Sequence, residues 1–144
     1  MDNIDRAILK ILSENAKLGT KEIANQIGLT ITPTYERVRR LERTGVITGY
    51  TVRLNKKKIG KNLQVFCQVS LKEHNLELLK KFEDQVVNLP QVSDCYHIAG
   101  DHDYALMIEV LDMDEYEEFL REHLATIPSI AHVQSSFVMR EIKK

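Results

Sequence analysis

This 144-residue chain has little that points to covalent or metal-centred chemistry. Its two cysteines, Cys67 and Cys95, are too few for a disulfide framework and have no zinc-ligand spacing. No apolar run approaches the roughly 18 residues a membrane span needs, and the opening MDNIDRAILK lacks the apolar core of a signal peptide. These absences predict a soluble, cytoplasmic protein. No Gly-rich phosphate loop, Cys-His pair or nucleophile elbow occurs, and His97, His102 and His132 show no metal spacing on one helix. No catalytic residue, metal or cofactor is therefore expected. Repeats and low-complexity segments are also missing. At 43% apolar and 28% charged residues, the composition is that of a globular protein and excludes disorder.

Net charge is almost absent as well, at −1 from 20 Lys/Arg and 21 Asp/Glu. That balance conceals a split. Residues 1–61 hold 13 Lys/Arg and 6 Asp/Glu, whereas residues 62–144 hold 7 and 15. Two fields of opposite sign suggest a nucleic-acid arm joined to a different module. The sign changes at the weakly periodic stretch 55–62, which reads as a linker or as the edge of the first module.

Before it, three helical patterns follow closely. Ile4, Ile8, Ile11 and Leu12 recur at helical spacing, with Asp2 or Asn3 available as a cap. Thr20 suits the cap of a short second helix carrying Ile23, Ala24 and Ile27, and Gly28 suits the left-handed turn that ends it. The third begins after Thr30 or Thr32, because Pro33 fits only a first turn. Its inward positions are Thr34, Val38 and Leu41, and Gly45 closes it. Val46–Leu54 reads as a short two-stranded element bent at Gly49.

After residue 62 the period becomes two. Leu63, Val65, Cys67, Val69 and Leu71 alternate with polar residues, the pattern of a half-buried strand. Leu76, Leu79, Phe82 and Val86 fit a helix ending before Pro90, Val92–Ala99 a strand, Gly100–Asp103 a tight turn, and Tyr104–Val110 a further strand. Tyr116, Phe119, Leu120 and Leu124 mark a second helix, and Ile130–Met139 the last strand. The order strand-helix-strand-strand-helix-strand is that of a ferredoxin-like sandwich. Helices cover one face of such a sheet, so the other must meet water or a partner.

The first three helices have the order and spacing of a helix-turn-helix, and the third carries Arg37, Arg39, Arg40 and Arg43, with Thr32, Thr34 and Tyr35 near its start. In such folds the start of the second motif helix enters the major groove while nearby cations meet phosphates. Arginine can grip a phosphate or a guanine edge through two parallel bonds. Thr32, Thr34, Tyr35 and Arg39 are the candidates for base reading, and Arg40, Arg43, Arg53 and Lys57 for phosphate anchoring. Arg37 either joins them or bonds within the fold. Glu36 and Glu42 have the spacing to pair with Arg40 and with Arg39 or Arg43. A second basic group (Arg53, Lys56, Lys57, Lys58, Lys61) serves as a wing tracking the DNA backbone or as a solvated tail.

Residues 27–43, from Ile27-Gly28-Leu29 through Thr34-Tyr35-Glu36-Arg37-Val38-Arg39-Arg40-Leu41, followed by Gly45-Val46-Ile47-Thr48-Gly49-Tyr50, resemble the Lrp/AsnC family of transcription regulators. So do the opening Asp2-x-Ile4-Asp5-Arg6-x-Ile8-Leu9, Gly60, the run Gly100-Asp101-His102-Asp103-Tyr104, and Phe137-Val138. The resemblance spans nearly the whole chain. It implies an α+β protein: a winged helix-turn-helix over residues 1–49, a linker strand over 50–62, and a ferredoxin-like βαββαβ regulatory and oligomerisation domain over 63–144. It further implies a nucleoid-associated, sequence-specific binder of double-stranded DNA whose dimers pair through their sheets and assemble further, commonly into octamers.

By the same resemblance, the effector is a small amino acid bound near the turn between the second and third sheet strands, at contacts between dimers. Ile98, Ala99, Gly100, Asp101 and Asp103 would supply that turn, with Gln134 and Ser136 reaching from the last strand across the seam. Gly100 lets a carboxylate approach backbone amides, and Asp101 or Asp103 can accept from an α-ammonium. Gly-Asp-x-Asp is equally at home in a hairpin turn without a ligand. Ala99 stands where the family commonly has Thr. Two other readings are an Lrp-like tetrapyrrole enzyme of the siroheme decarboxylase type and an effector-independent DNA organiser.

Overall fold

Residues 1–143 are described in a computed structural model, in which the chain divides into two units after Arg53. Helix α1 spans Asn3–Glu14 and begins with a reciprocal cap. The Asp5 amide donates to Asp2 Oδ1 at 2.8 Å, and the Asp2 amide donates to Asp5 Oδ2 at 3.0 Å. Helix α2 spans Thr20–Ile27, and its cap is Gly19 rather than Thr20, with the Gly19 amide held by Glu22 Oε2 at 2.7 Å. Gly28 ends it at φ 70°, a conformation that costs glycine nothing. Helix α3 spans Ile31–Arg43. Thr30 stands at its cap position, yet its side chain makes no capping bond. The apolar stripes of the three helices meet around Ile8, Ile23 and Leu41.

The two-stranded element expected over Val46–Leu54 does not form, nor does the linker strand expected over 50–62. The Val46 and Ile47 amides both donate to the Leu41 carbonyl at 3.0 Å, so this stretch satisfies the end of α3 instead of a ladder. Residues 48–55 follow without regular structure, leaving Tyr50, Val52 and Leu54 exposed. Lys56–Ile59 then forms one 3₁₀ turn, opened by the Asn55 side chain and closed by Gly60 at φ 75°.

The second unit is the expected sandwich. Strands β1 (Leu63–Leu71), β2 (Val92–His97), β3 (Tyr104–Val110) and β4 (Ile130–Phe137) form one antiparallel sheet in the order β2-β3-β1-β4. Helix α4 (Leu76–Val86) and helix α5 (Met113–Phe119), the latter prolonged by a π turn over Leu120–Leu124, cover one face. Val65, Cys67 and Val69 of β1 and Leu106, Ile108 and Val110 of β3 bury against Phe82, Val86, Tyr116 and Phe119. Each fully buried apolar side chain of this size contributes roughly 1.5–3 kcal/mol. Register puts Gln64, Phe66, Gln68 and Ser70 on the opposite, helix-free face, beside Ala105, Met107 and Glu109 and beside His132, Gln134 and Ser136. Tyr96 and Phe66 of that face are exposed.

Candidate DNA interface and effector turn

Helix α3 sorts its predicted contacts by face. Thr32, Tyr35, Arg39 and Arg43 point to solvent. Thr34 does not: it is fully buried and its hydroxyl donates to the Thr30 carbonyl at 2.9 Å, so it belongs to the packing and is withdrawn from base reading. Arg37 turns inward across the bundle, where its Nη1 donates to Asp2 Oδ2 at 2.7 Å and Asp5 Oδ1 at 2.8 Å. Arg40 donates through Nη2 to both oxygens of Asp5 at 2.8 Å. The expected Arg40–Glu36 pair is replaced by this longer-range one, while Arg39 does pair with Glu42 at 3.1 Å. Asp5 is 2% exposed, and the two guanidiniums are its only ionic partners among the described residues. One carboxylate of α1 thereby ties two arginines of the helix that carries the basic face.

The capping bond from the Asp5 amide and the Arg37 guanidinium hold the Asp2 carboxyl down at about 2. The Asp2 amide, with Arg37 and Arg40, likewise depresses Asp5 against the effect of burial. Carboxyls lowered in the fold stabilise it fully above the ordinary aspartate value of about 3.9, and that contribution is lost as pH falls through the folded values. The α1 amide signals in an NMR titration should therefore persist to about pH 4 and disappear as pH approaches about 2. Complete loss above pH ~4.5 would contradict a stabilising cap.

The second basic group is divided. Arg53 closes the first unit, whereas Lys56, Lys57, Lys58 and Lys61 lie in the second. The first unit alone holds nine Lys/Arg and six Asp/Glu, so part of the N-terminal positive excess belongs elsewhere. Lys56 and Lys61 are not free for DNA. They contact Glu109 of β3 at 2.7 and 3.2 Å, and Gln64 adds a bond at 3.3 Å. Burial works against the Glu109 charge, but the two lysines outweigh it and hold its carboxyl below the usual range. Arg53 and Lys57 are exposed.

At the other end of the sheet, Ile98–Asp103 form the turn between β2 and β3. Gly100 takes φ 147°, and Ala99, Gly100 and Asp101 are exposed. Asp103 is half-buried and already engaged, since Oδ2 accepts from the Leu71 amide at 2.7 Å and Oδ1 from His74 Nε2 at 2.9 Å. Burial opposes its charge, yet the Leu71 amide and His74 keep the carboxyl below its ordinary value. Gln134 and Ser136 are not brought to this turn within one chain. Across the sheet Gln134 aligns with Gln68, and Ser136 with Phe66. Those positions lie roughly 7 Å and 13 Å further along the strands than His132, which aligns with Ser70. The neighbours of the turn in one chain are instead Ser70, His74 and His132. Ser70 Oγ lies 3.0 Å from His102 Nδ1, and the His102 and His132 rings stack at 6.3 Å. Strand alternation places Ser70 and His132 on one face, but only the register brings both to the turn.

Neither cysteine is poised for thiolate chemistry. Burial pushes the Cys67 thiol up to about 11 and raises Cys95 as well. Among the described residues no cluster of three metal-ligating side chains occurs, and no helix is long and apolar enough to cross a membrane.

Residues 64–144 match the family described as Lrp/AsnC ligand binding domain, and residues 1–48 match the winged helix-turn-helix DNA-binding family. The chain is 37% identical over 142 residues to the Bkd operon transcriptional regulator of Pseudomonas aeruginosa, covering 99% of this chain and 93% of that one. It is 36% identical over 144 residues to the leucine-responsive regulatory protein of Escherichia coli K12, covering 100% and 88%. Among solved structures it resembles an AsnC family transcriptional regulator from Agrobacterium tumefaciens, with TM-score 0.94, 35% identity and coverage of 100% and 94%. It also resembles a transcriptional regulator from Neisseria meningitidis in complex with L-Met, with TM-score 0.96, 30% identity and coverage of 100% and 93%.

Proposed function

Because the chain belongs to the Lrp/AsnC family of DNA-binding transcription regulators, with a ligand-binding domain after its helix-turn-helix, we propose which residues read DNA and what the ligand is. Thr32, Tyr35 and Arg39 read bases. Arg43, Arg53 and Lys57 anchor phosphates, with Arg40 contributing whatever donors Asp5 leaves free. Arg37 acts as a positioning residue. The observation that carries this assignment is the division of α3 into an outward row, Thr32, Tyr35, Arg39 and Arg43, and a tethered pair, Arg37 and Arg40, tied to Asp5.

The effector is a small amino acid at the Ile98–Asp103 turn, a reading supported by the L-Met complex of the Neisseria meningitidis regulator. Gln134 and Ser136, remote from that turn in one chain, would reach it only from another copy, as in an assembly built on the helix-free sheet faces. Dimers and a higher oligomer, an octamer in this reading, fit the exposed Phe66 and Tyr96 on that face. The protein acts in the cytoplasm on the nucleoid and needs no cofactor. The effector shifts the balance between assemblies by binding one better than another.

Fluorescence anisotropy on duplex DNA from the protein's own promoter tests the DNA assignment. Binding should weaken steeply with salt, since neutralised phosphates release counterions. Replacing Arg43 with Ala should lower affinity about equally on specific and random duplexes and reduce the salt slope by about one, whereas Arg39→Ala should reduce the difference between the two. Salt-independent binding would refute the interface.

A further inference from the structure

Asp103 has a divided environment. Its amide donates to the Val69 carbonyl at 2.9 Å and its carbonyl accepts from the Ile98 amide at 2.8 Å, so its backbone is locked between β1 and β2. The side-chain bond from the Leu71 amide is internal, because Leu71 is buried. The bond from His74 differs. His74 lies in the loop after β1, its side chain is 68% exposed, and its partnership with Oδ1 is open to water. Exposed pairs of this kind are weak and exchange readily. The His74 ring nitrogen at 2.9 Å from Oδ1 also occupies the place that an α-ammonium donor to that oxygen would take.

We infer that His74 is a resident competitor for the effector's ammonium group, so that amino-acid binding at Asp103 displaces His74. This rests on the amino-acid reading of the turn given above. Both donors need the same oxygen, Oδ1, because Oδ2 is taken by the Leu71 amide.

Other ionisable groups face the same carboxylate. His97 of β2 stacks on Tyr104 at 4.8 Å, and the Tyr104 hydroxyl donates to Glu83 of α4 at 2.7 Å. Asp101 and His102 share the turn, and His132 of β4 stacks on His102. Only a change in affinity that appears on replacing His74 therefore tests the inference.

Isothermal titration of the full chain with L-Met and with L-Leu separates the possibilities. His74→Ala, which removes the competitor, should bind roughly two- to fivefold more tightly than wild type, the range that an exposed ion pair supports. His74→Gln keeps a weaker donor and should fall between the two. Binding by His74→Ala that is no tighter than wild type overturns the competitor role while leaving the amino-acid reading intact. No binding of either amino acid by the wild type or by His74→Ala overturns the reading and the inference together.

Discussion

Replacing Asp5 with Ala is expected to cost DNA affinity roughly tenfold or more, although this residue is buried and faces away from the outward row of α3. The side chain has three tasks at once. It accepts the Asp2 amide at the start of α1, it accepts Arg37, and it accepts Arg40 through both oxygens. Alanine leaves Arg40 without its acceptor, Arg37 with Asp2 alone, and the first turn of α1 without half its cap. A competing effect has the opposite sign. Removing one negative charge from a basic unit and releasing Arg40 raises its attraction for any polyanion. The first effect governs sequence-specific binding, because base reading requires α3 to hold a fixed rotation against α1. The second governs only the sequence-independent part.

Anisotropy on specific and random duplexes therefore distinguishes them. Asp5→Ala should lose affinity for the specific duplex and retain or gain it for the random one. Asp5→Asn, which keeps one acceptor oxygen, for either Arg37 or the Asp2 amide, and no charge, should fall between wild type and Ala. Equal affinity of wild type and Asp5→Ala for the specific duplex would show that the arginines position themselves without it.

The contrast between these tethered arginines and the outward ones indicates what a sequence discloses. Local features were legible. The capping Asp2, Gly28 at the α2 turn and the alternation of Leu63–Leu71 all act within a few residues, and each was in place. Partnerships across long separations were not. Arg37 and Arg40 meet a residue 32 and 35 positions earlier, and Lys56 reaches Glu109 53 positions later, so a basic run appeared freer than it is. Thr34 was ambiguous for a different reason. It lies on the border of the apolar stripe, and only packing decides whether a hydroxyl there faces inward. The stretch 46–54 alternates like a strand, but its first amides are taken by the carbonyl of Leu41, a preference that pattern alone does not carry. The turn that holds Asp103 was legible, while its contact with His74 and the distance of Gln134 and Ser136 from it depend on loop path and register.

Leu106→Ala is expected to produce the largest loss of stability, about 2–5 kcal/mol in the regulatory unit. Leu106 is fully buried at the middle of β3, a central strand, facing Cys67 of β1 and Cys95 of β2 in register. Truncation removes three carbons from the core and leaves a cavity that two helices and a four-stranded sheet cannot close without moving together. For a unit of this size the melting temperature should fall by roughly 10–20 °C, read by calorimetry of the full chain. Phe66→Ala makes the control, because Phe66 lies on the helix-free face and is 38% exposed. Its transition should move much less, while light scattering should show a smaller particle if that face joins the copies. The alternation of side chains across one sheet thus predicts two separable losses, fold stability on the helix side and assembly on the other. If Leu106→Ala melted like wild type, the helix-covered face would not be the core of this unit.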